Sequence, residues 1–228
     1  MSTPAPHPPS CEPLAVEAAR FALLRRIAFA IRHELMAHLQ PVAMAGEIVE
    51  RRLRAPEPNL DQIRDGVTRM TGLSRTASQA CRDVIGWFAP EPGRVVPLQS
   101  AVDEATALLG SSLGFRGFSL RSELRGADWP VQRAAWRHLL PACLLLLSDE
   151  AGPPAEITLH GEPDGGQVLL RLTLEPTDGG ELDAGEMPYR PLSADEVQAL
   201  AQADGVRFTR QGDTIELRAP LAPTDTAA

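Results

Sequence analysis

Aromatic side chains make up only 4% of this chain against a hydrophobic content of 43%, so any core must be built from Leu, Val, Ala and Ile. With 228 residues, one large domain or two small ones can bury such a core. Positive charge is not in excess: 22 Lys and Arg stand against 30 Asp and Glu. That balance argues against a nucleic-acid binder working by counterion release. No apolar run approaches the roughly 18 residues that span a bilayer. The longest, Leu139 to Leu147, is short and interrupted by Pro141. Cysteines are few: Cys11, Cys81 and Cys143 have no CxxC spacing and are odd in number, so neither a zinc site nor a disulfide framework is indicated. No HExxH pair occurs, and His33 and His38 lie about 140° out of phase on a helix. Neither a metal nor a cofactor is expected. Residues 1–13 are Pro-rich and lack the basic-then-apolar order of a signal peptide. They read as a disordered leader, and a cytoplasmic location without nucleic acid or membrane partners is expected.

What the chain does contain is helical periodicity. From Leu14 to Arg54 the only Gly and Pro are Pro41 and Gly46. Ala28, Leu35, Val42 and Val49 recur every seven residues, and Ile31, His38 and Ala45 follow the first three of them by three. That is an a/d seam. The stretch Ala55–Asn59 holds two prolines, and Asn59 is a plausible N-cap. Leu60, Ile63, Val67 and Met70 then open a second three-four pattern that continues to Phe88. Two long helices with a short turn predict an antiparallel hairpin over 14–88. One hairpin cannot bury both seams, so a homodimeric four-helix bundle is expected.

Residues 89–97 read as a linker by composition. Beyond them the texture predicts a helix over 98–113, a strand at "FSLRSEL" and a helix with Pro130 near its first turn. Two strands joined through "PDGG" follow, then a loop at "TDGGELDAGEMPYRP", a helix capped by Ser193 and a terminal hairpin. The expected class is α+β, with helices against one face of a mixed sheet over 98–222. Residues 223–228 read as a disordered tail.

The seam separates the two neighbouring histidines. His38 falls at d, where a half-buried polar residue near the bundle axis is its ordinary role. His33 falls at f, the most exposed position, with Glu34 directly after it and Pro41 a little downstream. A lone exposed histidine is usually solvated and nothing more. An adjacent acid that orients the ring would keep it nucleophilic.

The stretch "RHELMAHLQPV" looks like the H-box of sensor histidine kinases. In that family an exposed histidine on the first helix of a dimeric hairpin is phosphorylated, and Glu-Leu follows it. His33, Glu34, Leu35 and Leu39 carry the match. The order of elements over 14–222 is also similar to a dimerisation domain followed by an ATP-binding domain. The resemblance implies His33 as phosphoacceptor and Glu34 as its helper. Arg25, Phe29, Arg32 and Met36 are the implied docking surface. It further implies response-regulator receiver domains as partners.

The chain departs from that pattern where nucleotide would bind. The family's Asn-rich helix face is here Pro, Ala, Cys and Leu around Pro141–Leu145, with no oxygen ligand for Mg²⁺. Asp178-Gly179-Gly180 is a faint trace of the adenine-binding turn, and a glycine-rich lid is missing. Four residues after His33 stands Ala37, which cannot orient water, and five after it stands His38 instead of Pro. The expectation is therefore a histidine phosphotransferase on a degenerate kinase scaffold. It would shuttle a phosphoryl group between receivers without ATP, with Mg²⁺ supplied by the receiver and the acidic 178–186 loop left for specificity. Two alternatives stay open: a non-catalytic dimeric adaptor or inhibitor, and an active kinase with an atypical nucleotide site.

Overall fold

A computed structural model describes residues 13–89, 93–124, 126–179 and 189–223. It is α+β, as expected: a long helical hairpin followed by a mixed five-stranded sheet with helices on one face. Helix α1 (Leu14–Leu53) is continuous through Pro41 and about 60 Å long. Helix α2 (Leu60–Phe88) runs back along its C-terminal half. The Asn59 side-chain oxygen accepts from the Gln62 N–H at 3.0 Å, satisfying one of the donors that a helix start leaves unpaired.

The α/β half contains β1 (Val95–Pro97), α3 (Leu98–Phe115), β2 (Phe118–Ser122), β3 (Pro130–Gln132) and α4 (Arg133–Glu150). After these come β4 (Ala155–Asp164), β5 (Gln167–Pro176), α5 (Ala194–Ala203), β6 (Arg207–Gln211) and β7 (Thr214–Pro220). The main sheet has the order β2-β4-β5-β7-β6. Its β2–β4 pair is parallel and the others are antiparallel. Gly165 and Gly166, both at positive φ, close the two-residue β4–β5 turn that favours left-handed backbone. Strands β4 and β7 alternate strictly: Ile157, Leu159, Ile215 and Leu217 are fully buried. Their polar neighbours form a solvent face of ion pairs such as Arg171–Glu216 at 2.8 Å.

Four sequence expectations need correction. Ala28, the first residue of the proposed seam, is exposed. Over its N-terminal half α1 buries Val16, Ala19, Leu23, Ile27 and Ala30 instead, because there it packs on α3, α4 and α5 rather than on α2. Only further along do Ala45 and Val49 turn their burial toward the hairpin partner. The composition-based linker contains β1, which pairs antiparallel with β3. Pro130 therefore opens a strand, and α4 starts three residues later at Arg133. Helix α3 continues to Phe115 rather than ending at 113. The expected loop at 177–191 lies outside the described residues from 180 to 188, as do residues 1–12 of the leader and 224–228 of the tail. No described helix is long and apolar enough to cross a membrane.

Helix α4 is the centre of the α/β half. Every residue from Ala135 to Ser148 is buried, which fits a helix that is apolar all round. The sheet covers one side, α3 and α5 flank it, and α1 lies across the other. Leu23 and Ile27 of α1 are fully buried in that cover. A charged clamp fixes the arrangement. Asp149 accepts from Arg26 of α1 at 2.7 Å and from Arg116, just past α3, at 3.0 Å. Arg116 also donates to the Ser148 hydroxyl and carbonyl at 3.1 and 2.9 Å. The Arg26 and Asp149 side chains are 1% and 3% exposed, so neither charge has water as an alternative partner.

Two stability predictions follow from these contacts. Asp149→Ala strands two buried guanidinium groups and is expected to cost about 3–5 kcal/mol, measured by urea unfolding; a loss below 1 kcal/mol, the level of an exposed pair, would refute the clamp. The second concerns the start of α5, where Ser193 and Glu196 form a reciprocal cap. Hydrogen bonds from Arg190 and then from the Ser193 backbone hold the Glu196 carboxyl down at about 2. A carboxylate depressed in the fold contributes stability above its ordinary range and loses it as pH falls. The contribution should fade from about 4.5 down to about 2. Glu196→Gln is expected to lower Tm at neutral pH and to flatten that acid limb; an unchanged Tm-against-pH profile would count against it.

Candidate functional site

His33 lies near the middle of α1, just past the stretch buried on the α/β half and before the stretch buried on α2. Neighbouring helical positions explain its surroundings. Ala30 and Ile31 face inward and are buried, while Arg32 and His33 are exposed. Beside the imidazole is a cleft of about 370 Å³ between α1 and α3. Phe29, Ala30, His33 and Glu34 form one wall, and Leu108, Ser112 and Phe115 stand on the other. Phe29 is 59% exposed and Phe115 is 90% exposed. In a chain with ten aromatic residues, the 6 Phe, 3 Trp and 1 Tyr, two bare rings flanking one histidine mark a surface suited to binding.

The other sequence-derived site residues divide into two groups. Phe29, Arg32 and Met36 share the exposed face with His33, and the Arg32 guanidinium lies 5.2 Å from the Phe29 ring centre. Arg25 is drawn toward the α/β half. It sits 4.3 Å from the Tyr189 ring and 5.7 Å from that of Phe21, a cation–π arrangement between α1 and the segment before α5. Glu34 turns away from the imidazole. Consecutive helical residues point about 100° apart, and the structure forms no hydrogen bond between His33 and Glu34 among the described residues. Its carboxylate instead lines both the His33 cleft and a second crevice toward Asp83 and Glu104. His38 is half-buried against the hairpin interior.

Sequence reasoning missed the α3 wall altogether. Phe115 lies in "LGFRG", and its placement two residues beyond the predicted helix end hid it. A signal was present: a large aromatic between two glycines has few local partners. The stretch at which the sequence departs from the kinase pattern is buried. Around Pro141–Leu145 α4 has no exposed residue, and Cys143, fully buried, has its thiol pushed far up by desolvation. Asp178 and Gly179 are exposed at the end of β5, where a Cβ on Gly179 would meet Pro154 at 2.7 Å. Gly180 lies outside the described residues. No group of three or more metal-ligating side chains occurs among the described residues.

Accessibility of the histidines is open to direct measurement. Diethyl pyrocarbonate is expected to modify His33 rapidly in the native protein. His138, only 4% exposed and 3.6 Å from Asp204, should react only after unfolding. Peptide mapping that found equal rates at the two positions would refute this placement.

No family model matches the chain, and no curated protein matches it in sequence. Solved structures do show likeness. The catalytic domain of histidine kinase ThkA is 12% identical over 56% of this chain and 95% of its own, with a TM-score of 0.45. A histidine kinase from Burkholderia phymatum is 16% identical over 90% of this chain and 98% of its own, at 0.44. ThkA in complex with the response regulator TrrA is 10% identical over 92% of this chain and 65% of its own, at 0.41.

Proposed function

We propose that the chain is a histidine phosphotransferase of a two-component phosphorelay, with His33 as the phosphoryl carrier. The observation that carries this reading is the position of His33. It is an exposed imidazole at the rim of an apolar cleft, on the one helix shared by both halves of the molecule. The chemistry asks little of this protein. An imidazole nitrogen attacks the phosphorus of an aspartyl phosphate, the new N–P bond forms as the P–O bond breaks, and the carboxylate leaves. The same steps in reverse load a second receiver. The receivers bring Mg²⁺ and the compensating positive charge, and this chain contributes position.

In this reading Phe29, Arg32 and Met36, together with Phe115 from α3, form the docking surface around the imidazole. Glu34 acts through the field at the cleft floor rather than by a bond to the ring. Arg25 holds α1 against Tyr189 and is a positioning residue. Two chains pair through α2, where Leu60, Val67 and Ile85 are exposed on one face, giving the homodimeric bundle. Burial of α4 from Ala135 to Ser148 supports the absence of ATP binding, since that stretch presents no open oxygen-bearing face to a nucleotide.

A non-catalytic adaptor is the second reading. It is favoured by the missing His33–Glu34 hydrogen bond, which leaves the ring solvated like any surface histidine. The deciding experiment mixes the chain with a pre-phosphorylated receiver domain, beside a His33→Ala variant and an ATP-only control. Acid-labile, base-stable label is expected on the unmodified chain and absent from the variant. Label from ATP alone would overturn the loss of nucleotide binding. A receiver that co-elutes but never transfers label would establish the adaptor.

A further inference from the structure

A second crevice shares Glu34 and Leu108 with the His33 cleft and lies where the C-terminal part of α2 meets β1 and the first turns of α4. Its inner end is a cavity of about 150 Å³ onto which four arginines converge: Arg82, Arg94, Arg133 and Arg137. The carboxylates of the crevice are Asp83, on the same wall, Glu104, which joins from α3, and Glu34, which lines the outer part. In a chain of net charge −8, Arg82, Arg133 and Arg137 bring three guanidinium groups to the inner end, where Asp83 and Glu104 are the neighbouring carboxylates among the described residues. The cavity opens into a larger space of about 410 Å³ that shares Asp83, Arg94 and Arg133 with it. Val84, Val96 and Leu108 line that outer part.

The inner end is built rather than incidental. Arg137 is 4% exposed and lies 5.1 Å from the Trp87 ring centre. Its Nε and Nη2 donate to Glu104 Oε1, while its Nη1 has no hydrogen-bond partner among the described residues. Arg133 donates to both oxygens of the same carboxylate, at 2.8 and 3.1 Å. Burial opposes ionisation of Glu104, yet the bonds from Arg137 and Arg133 hold its carboxyl below the usual range. One carboxylate thus serves two guanidiniums and exhausts its own capacity before theirs. Arg82, on the exposed rim, bonds only Gln79 among the described residues. Gly86 leaves room opposite: a Cβ there would stand 2.1 Å from Arg137 Nη1 and displace the guanidinium.

We propose that this crevice binds a small phosphate-bearing molecule, with the anionic head on Arg82, Arg133 and Arg137 and the apolar body along Val84, Val96 and Leu108. Guanidinium forks match phosphate oxygens in pairs and are more weakly hydrated than ammonium groups. Ligand sites of a few hundred Å³ with apolar walls and a few convergent polar groups gather at junctions between domains, which is where this crevice lies. A bound anion would bridge α2 to α4 and tighten the hairpin against the α/β half by mass action. The inference is independent of phosphate transfer through His33.

Inorganic pyrophosphate is the probe, titrated into the full chain by calorimetry and in thermal melts, with sodium chloride at matched ionic strength as control. Saturable binding is expected, with a Tm rise of about 5 °C at a hundredfold excess over Kd. Arg82→Ser, at an exposed position, and Arg133→Gln should each weaken binding about tenfold or more. His33→Ala should bind as the unmodified chain does. Absence of heat and of any shift beyond the chloride control would overturn the site and leave a purely structural ion-pair network. Binding by both arginine variants as tight as that of the unmodified chain, or binding lost in His33→Ala, would overturn the placement.

Discussion

An apolar helix with no solvent side is the constraint on which the rest of this structure depends. Helix α4 places Leu139, Leu140, Leu144, Leu146 and their neighbours around its whole circumference. A sheet and two flanking helices leave one flank bare, and exposing it would forfeit roughly 25 cal/mol for each Å² of apolar surface. The N-terminal half of α1 supplies the missing cover. That requirement explains the length of α1, the phase of its buried stripe and the two-guanidinium clamp on Asp149. A carboxylate near a helix C-terminus is unfavourably placed with respect to the backbone dipoles. Arg26 and Arg116 reverse the balance there and join α1, α3 and α4 at a single atom.

His33 follows from the same constraint. Where α1 leaves the α/β half its buried stripe turns toward α2, and residues around the turn cannot be covered by either neighbour. Arg32, His33 and Met36 surface there for that reason. The cleft beside them exists because α3 runs past α1 at this level and ends in Phe115. An exposed imidazole and an apolar recess are thus both products of one helix serving two packing partners.

Much of this was legible beforehand. Periodicity located both long helices, Asn59 and Ser193 announced the starts of α2 and α5, and Gly165-Gly166 announced a hairpin. These signals are local, encoded within a few residues of where they act. The phase of the α1 stripe was not local. The heptad reading took Ala28 as core because Leu35, Val42 and Val49 are spaced seven apart after it, and the pattern carries no mark of a change of partner. Strand β1 was hidden because three residues next to a Pro-rich segment do not show an alternation. Phe115 and the arginine crevice depend on α3 and α4 approaching α1 and α2, which no window of sequence contains. The proximity of Glu34 to His33 in sequence suggested a hydrogen bond that the structure does not form, although both side chains line one cleft.

The sharing of α1 has a mechanical side. The boundary between the two halves runs lengthwise along one face of a helix instead of crossing the chain at a joint. Two bodies joined by a tether can swing; two bodies that grip the same rod cannot, unless one of them lets go. Any rocking of the α/β half toward His33 would have to peel Leu23 and Ile27 off α4 and pull Arg26 from Asp149. The molecule is therefore built as a fixed bracket, and whatever meets the imidazole must travel to it.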